Sequence, residues 1–231
     1  MTHLRLLGAG RSADVFAIDE TWVLRRTRDG TDTGAESAIM TFVAQSGFPV
    51  PRQKVRVPGA RPEDLVLERL RGPTMADAVL AGALDPATAG GLLAELLDRL
   101  HAIPVPDAAD RDDRVVHLDL HPENVILTAR GPVVIDWTNA TVGRPGVDRA
   151  MCALILAQVS LTMPSAPGAA VRATLAALCE ELSASGGISG EDLSIAVDRR
   201  VSDPGQTSAE RDLIHAARAL VASEAGRDAA R

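Results

Sequence analysis

The period of the apolar positions changes near residue 72. Upstream, short apolar runs alternate with turn residues: Leu4-Arg5-Leu6-Leu7, then Val15-Phe16-Ala17-Ile18, then Trp22-Val23-Leu24-Arg25-Arg26. Gly8-Ala9-Gly10-Arg11-Ser12 separates the first two runs, so the pattern predicts strand, glycine turn, strand, turn and strand. From Thr33 to Gly47 the spacing lengthens. Ile39, Phe42 and Val43 form a helical stripe there, with Gly47 as its C-terminal stop. Lys54-Val55-Arg56-Val57 and Asp64-Leu65-Val66-Leu67-Glu68, joined through Pro58-Gly59, read as the last two strands of a small sheet, leading through Arg69-Leu70-Arg71-Gly72 into a hinge.

Downstream the period is helical. Asp85 caps, Pro86 suits a first turn, and Leu92, Leu93, Leu96, Leu97 and Leu100 recur up to His101, after which Pro104 and Pro106 end the helix. His101 reads as a last-turn partner of the helix dipole. Beyond Asp148 three apolar stripes follow, through Met151, Leu154, Ile155 and Val159, through Val171, Leu175, Leu178 and Leu182, and through Ile214, Ala217, Leu220 and Val221. The last is expected to open at a capping box of Thr207 with Glu210.

Between the two regimes lies the segment that carries chemistry. His117-Leu118-Asp119-Leu120-His121-Pro122-Glu123-Asn124 is followed by Val125-Ile126-Leu127, the turn Thr128 to Pro132, and Val133-Val134-Ile135-Asp136-Trp137. The two apolar runs predict a β-hairpin that returns Asp136 to the end where Asn124 stands. An amide oxygen and a carboxylate can then converge on one hard cation, while Asp119, five positions before Asn124, can orient an attacking hydroxyl and accept its proton. Taken singly, each of these residues would read as a turn former or cap; the spacing of all three is what points to phosphoryl transfer from Mg-ATP.

These motifs resemble the aminoglycoside phosphotransferase family, the small-molecule branch of the protein-kinase-like superfamily. His121-Pro122 and Ile135-Asp136-Trp137 look like that branch rather than its protein kinases. The resemblance implies an α+β, two-lobed, protein-kinase-like fold: residues 1–71 as an antiparallel sheet lobe with one helix that binds nucleotide, and residues 72–231 as a larger, mainly helical lobe with the acceptor site. It implies ATP and Mg2+ as cofactors, a phosphate cover formed by Gly8, Gly10 and Ser12, and adenine contacts at the hinge from Glu68 to Leu70. Asp148 would support the catalytic loop, and a role as helix N-cap is equally open to it. Kinases of this superfamily usually carry a Lys on the third strand. This chain offers Arg25, with Glu36 as its expected ion-pair partner and Arg26 on the opposite face.

Composition bounds the partners. The chain has 231 residues, formal net charge −7, three Phe, two Trp and no Tyr, so neither a basic stripe nor a stacking platform for nucleic acid is present. No run of about 18 apolar residues suggests a membrane span. The N-terminus has no apolar signal core, and Cys152 and Cys179 fall on apolar helical faces, which predicts buried thiols and a cytoplasmic protein. Residues 148–231 carry eleven Asp and Glu against eight Arg, too small a surplus to indicate a polycationic acceptor. The leading expectation is therefore a phosphotransferase acting on a small-molecule hydroxyl. The alternative, motivated by Arg25, is a pseudokinase-like nucleotide-binding module without turnover. A protein kinase is disfavoured, because only ten residues separate Trp137 from Asp148 and leave no room for an activation loop.

Overall fold

The computed structural model describes residues 4–10, 12–54, 59–106 and 108–227. The chain opens with β1 (Arg5–Ala9), β2 (Ala13–Ala17) and β3 (Trp22–Thr27), followed by α1 (Gly34–Gln45) and β4 (Asp64–Glu68). The four strands form one antiparallel sheet in the order β1-β2-β3-β4. A register shift between Leu6 and Gly8 bulges β1. The run at Lys54 to Val57 lies partly outside the described residues; within them, only a single bridge between Gln53 and Leu67 extends the sheet beyond β4.

The chain then passes through Gly72 into the helical part. At φ 145° a side chain is already strained, and a Cβ here would lie 2.0 Å from the carbonyl oxygen of Leu127, so only glycine lets the crossing strand run this close. Thr74 caps a short helix, α2 (Met75–Leu80), which the apolar pattern did not reveal. Next comes α3 (Pro86–His101), with Asp85 accepting from the N–H groups of Ala87 and Thr88 and Pro86 in the first turn, as expected.

Three small β elements frame the loop region: β5 (Arg114–Val116) pairs with β8 (Thr141–Gly143), and β6 (Val125–Thr128) pairs with β7 (Gly131–Val134). The second pair is the predicted hairpin, closed tightly from Thr128 to Gly131.

The remainder is helical: α4 (Pro145–Thr162), α5 (Ser165–Ser183), α6 (Gly190–Val201), α7 (Ser208–Asp212) and α8 (Ile214–Arg227). From Ala150 to Ala157 every residue of α4 is buried. A helix apolar on all sides belongs at the centre, and α5, α6 and α8 pack around it. The capping box of Thr207 and Glu210 forms, but it opens the short α7 rather than the final helix. Cys152 and Cys179 are both free and buried, and burial pushes the Cys152 thiol up. No helix among the described residues is long and apolar enough to cross a membrane.

Candidate active site

Period-two alternation on β3 sorts its two arginines. Arg26 turns outward and clasps Asp64 with both Nε and Nη2, at 2.6 and 2.9 Å. Arg25 turns inward, is buried, and lines a cleft of about 1080 Å³ between the sheet and the helices. Its Nη1 donates to Glu36 of α1 at 2.9 Å, and its Nη2 donates to Asp136 at 3.0 Å and to the Thr138 hydroxyl. One guanidinium thus joins the sheet, the helix and the loop after β7. Burial pushes the Glu36 carboxyl up and Asp136 adds to the effect, while Arg25 opposes both. The sole lysine lies elsewhere, with Lys54 Nζ 4.2 Å above the Trp22 ring.

The hairpin sets the opposite wall. Ile135 N–H donates to the Asn124 carbonyl at 2.9 Å, so Asn124 and Asp136 leave the same end of the β6-β7 pair. Asn124 sits in the turn of 3₁₀ helix Pro122–Asn124, and its Nδ2 donates to the Asp119 carbonyl at 2.9 Å and lies 3.4 Å from Asp119 Oδ2. Asp119, Asn124 and Asp136 all line the cleft. Burial lifts the Asp119 carboxyl from 3.8 to about 6, Asp136 and Asp203 push in the same direction, and Arg200 and the Asn124 amide pull against them.

The loop that carries Asp119 is held from behind. Leu118 and Asp136 have φ of 61° and 59°, left-handed positions that cost a non-glycine residue on the order of 1 kcal/mol each. Asp148 offsets the first: its carboxylate, fully buried, accepts from Leu118 N–H at 2.7 Å, His117 N–H at 2.9 Å and His101 Nε2 at 3.0 Å. Burial alone would raise this carboxyl, yet the His101 bond and the His117 N–H hold it below its ordinary value. The cap of α4 falls instead at Arg144 with Pro145 after it, so the N-cap reading of Asp148 is not realised. Nor is His101 simply a dipole partner, since it is buried against Asp148.

His117 completes the support. Its Nδ1 faces Asp119 N–H at 3.3 Å and its Nε2 the Ile135 carbonyl at 3.1 Å, the pattern of a neutral ring protonated at Nε2. Burial keeps its pKa low, in agreement. The ring meets buried Trp137 edge-on at 4.8 Å, and Trp137 meets Phe48 at 5.6 Å.

The glycine turn is closed by Gly10 N–H donating to the Ala13 carbonyl at 2.9 Å, which commits that amide within the turn. Gly10 and Ser12 line the cleft, whereas Gly8 pairs with Val15 inside β1 and is not among the lining residues. Glu68 and Leu70 line the hinge side, with the Glu68 carboxylate engaged by Arg52 and Arg130. Several lining residues carried no local sequence signal. Thr138 hydrogen-bonds Asp136 at 2.8 Å, and Arg200 at the end of α6 and Asp203 just after it reach the cleft through tertiary packing alone.

The oxygen donors of Asn124 and Asp136 suit a hard divalent cation, which takes one or two protein carboxylates and completes its shell from phosphates and water. Among the described residues no group of three or more His, Cys, Asp or Glu is placed to hold a metal ion.

The sequence profile of the phosphotransferase enzyme family matches residues 3–115 and 106–185. No curated protein sequence matches the chain. Among solved structures it is similar to an aminoglycoside-3'-phosphotransferase of type VIII, at 18% identity and TM-score 0.60, covering 85% of this chain and 92% of that one. It is also similar to APH(2'')-IIa in its ternary complex with streptomycin and ATP, at 14% identity and TM-score 0.56, covering 91% and 93%. A choline/ethanolamine kinase family protein from Mesorhizobium loti matches at 15% identity and TM-score 0.53, covering 98% and 87%. At these identities the likenesses establish the kinase-like fold and not the acceptor.

Proposed function

Because the chain belongs to the phosphotransferase enzyme family, we propose that it transfers the γ-phosphoryl group of ATP to a hydroxyl of a small molecule. The observation that carries this reading is the meeting of three chain segments at one cleft: Asp119 and Asn124 on the loop, Asp136 after the hairpin, and the Arg25–Glu36 pair from the sheet lobe.

Asp119 is assigned the acceptor hydroxyl. A carboxyl poised near 6 is largely ionised at neutral pH yet more basic than an ordinary aspartate, which suits it to orient the hydroxyl and take its proton as the bond to phosphorus forms. Asn124 and Asp136 would hold Mg2+, whose chemistry when bound is to neutralise the phosphate oxygens. Arg25, braced by Glu36, would hold its planar guanidinium beside the phosphates as a fixed positive charge, in the place where a lysine supplies a point charge. Gly10 and Ser12 would cover the phosphates, and Glu68 to Leu70 would lie along the adenine. Buried free thiols at Cys152 and Cys179 fit a cytoplasmic site of action. ATP consumption measured with and without a panel of aminoglycosides, amino alcohols and sugars tests the proposal. Acceptor-stimulated turnover is the expected result, and a chain that binds Mg-ATP but shows no stimulation by any of them would favour the pseudokinase-like alternative.

A further inference from the structure

The acceptor end of the cleft differs in character from the nucleotide end. Past Asp119 its lining continues onto α4 and α5 through Leu156, Val159, Met163 and Val171, side chains that offer a ligand only carbon and sulfur surface. The nearby charges come from the segment leaving α6. Arg200 Nε donates to the Oε1 of buried Gln158 at 2.8 Å, and its Nη1 lies 3.4 Å from Asp203 Oδ2. Anchored in this way, the guanidinium is a fixed positive charge lining the same cleft as Asp119.

The carboxylates beside it are already engaged. Asp203 also accepts from Gly205 N–H at 2.8 Å, and Glu210 accepts from the Thr207 N–H and hydroxyl at 2.7 and 2.9 Å. A ligand with several ammonium groups would exchange its hydration for apolar walls, a fixed cation and carboxylates whose oxygens already accept hydrogen bonds from the chain, an exchange that costs it binding at each group. Glu123, which lines the cleft from the catalytic loop, could meet one amine but not several.

We infer that the acceptor is an alcohol with an apolar body and at most one positive charge, its body seated against Val159, Met163 and Val171 and its hydroxyl at Asp119. This rests on the phosphotransferase reading above and narrows it to a substrate class. Octyl β-glucoside, glucose and gentamicin separate the possibilities, because the first two share a head group and differ only in an alkyl chain, while the third is a polycation. Each is assayed for phosphorylation with Mg-ATP. Each is also titrated calorimetrically, below the micelle-forming concentration of the detergent, into protein loaded with a non-hydrolysable ATP analogue.

The expected result is that octyl β-glucoside binds about 10- to 50-fold more tightly than glucose, the gain from burying two or three methylenes, and more tightly than gentamicin. Val171→Asp should erase the alkyl advantage and improve gentamicin. The wild-type comparison decides the matter even if that variant fails to fold. Gentamicin binding more tightly than octyl β-glucoside, or glucose equalling it, would overturn the inference while leaving phosphotransfer intact, whereas a protein that binds no Mg-ATP would overturn both.

Discussion

Half-buried Asp119, with its carboxyl raised to about 6, costs the fold stability at neutral pH. The folded-state value of Asp119, about 6, lies above the ordinary 3.8, so folding favours the protonated form. Stability is therefore lost as the pH rises from about 4 to about 6 and stays lost above that. Asp119→Asn should raise the melting temperature at pH 7.5, a gain on the order of 1–3 kcal/mol, and the gain should vanish by pH 4. The same variant should keep its nucleotide affinity and lose roughly 10² to 10⁴ in turnover. Calorimetric melts at the two pH values check the first half, and a gain independent of pH would remove the titration from the account. The two terminal nitrogens of Arg25 reach Glu36 and Asp136 separately, a span that a single ammonium does not reproduce. Arg25→Lys should accordingly lower turnover rather than raise it, and Arg25→Ala should cost about 10² to 10³. Restored or increased turnover in the lysine variant would mean that the arginine is a mark of degeneration.

At the scale of elements, the loop geometry depends on α3 and α4 through Asp148. Asp148→Ala would leave the N–H groups of His117 and Leu118 and the His101 ring without their buried acceptor, at a cost of about 3 kcal/mol or more. Hydrogen exchange at the His117 and Leu118 amides should accelerate and turnover should fall, although Asp148 does not line the cleft; unchanged exchange would refute the support role. Elements whose cause is local were legible in the sequence: the β6-β7 hairpin from its paired apolar runs, and α3 from Asp85, Pro86 and its leucine stripe. Elements whose cause is tertiary were not. The β5-β8 pair joins three-residue strands that are far apart in sequence and too short to show a period, and α2 has only six residues. The bulge that draws Gly8 into β1 depends on pairing with β2 and has no local signal. Of the residues lining the cleft, Asp119, Asn124 and Asp136 stand out in the sequence by their spacing, and Arg25 with Glu36 through the resemblance to kinases. Arg200 and Asp203 reach the cleft only because α6 packs on α4, which no local pattern announces.

For the whole molecule, the claim is that the sheet and the helices meet across a cleft where nucleotide and acceptor are brought together. Gly72 is the point at which the chain passes between them, and Gly72→Ala, with its Cβ driven into the Leu127 carbonyl, should destabilise the protein by more than 2 kcal/mol, roughly the cost of a strained φ and a displaced strand combined. The proposed cation would join Asn124 and Asp136 of the helical part to the phosphates of a nucleotide held under the sheet. Asp136→Ala should weaken the magnesium dependence of ATP affinity more than Asn124→Ala, since it removes a full charge; calorimetry showing no effect of magnesium in the wild type would discard the two-ligand site. The most direct measurement is transfer of label from γ-labelled ATP to a hydroxyl compound, followed in the wild type and in Asp119→Ala with and without magnesium. The account predicts labelled acceptor only when magnesium is present, falling by roughly 10² to 10⁴ in the variant. Label transfer that survives Asp119→Ala unchanged, or its absence from every acceptor while Mg-ATP is bound, would contradict it.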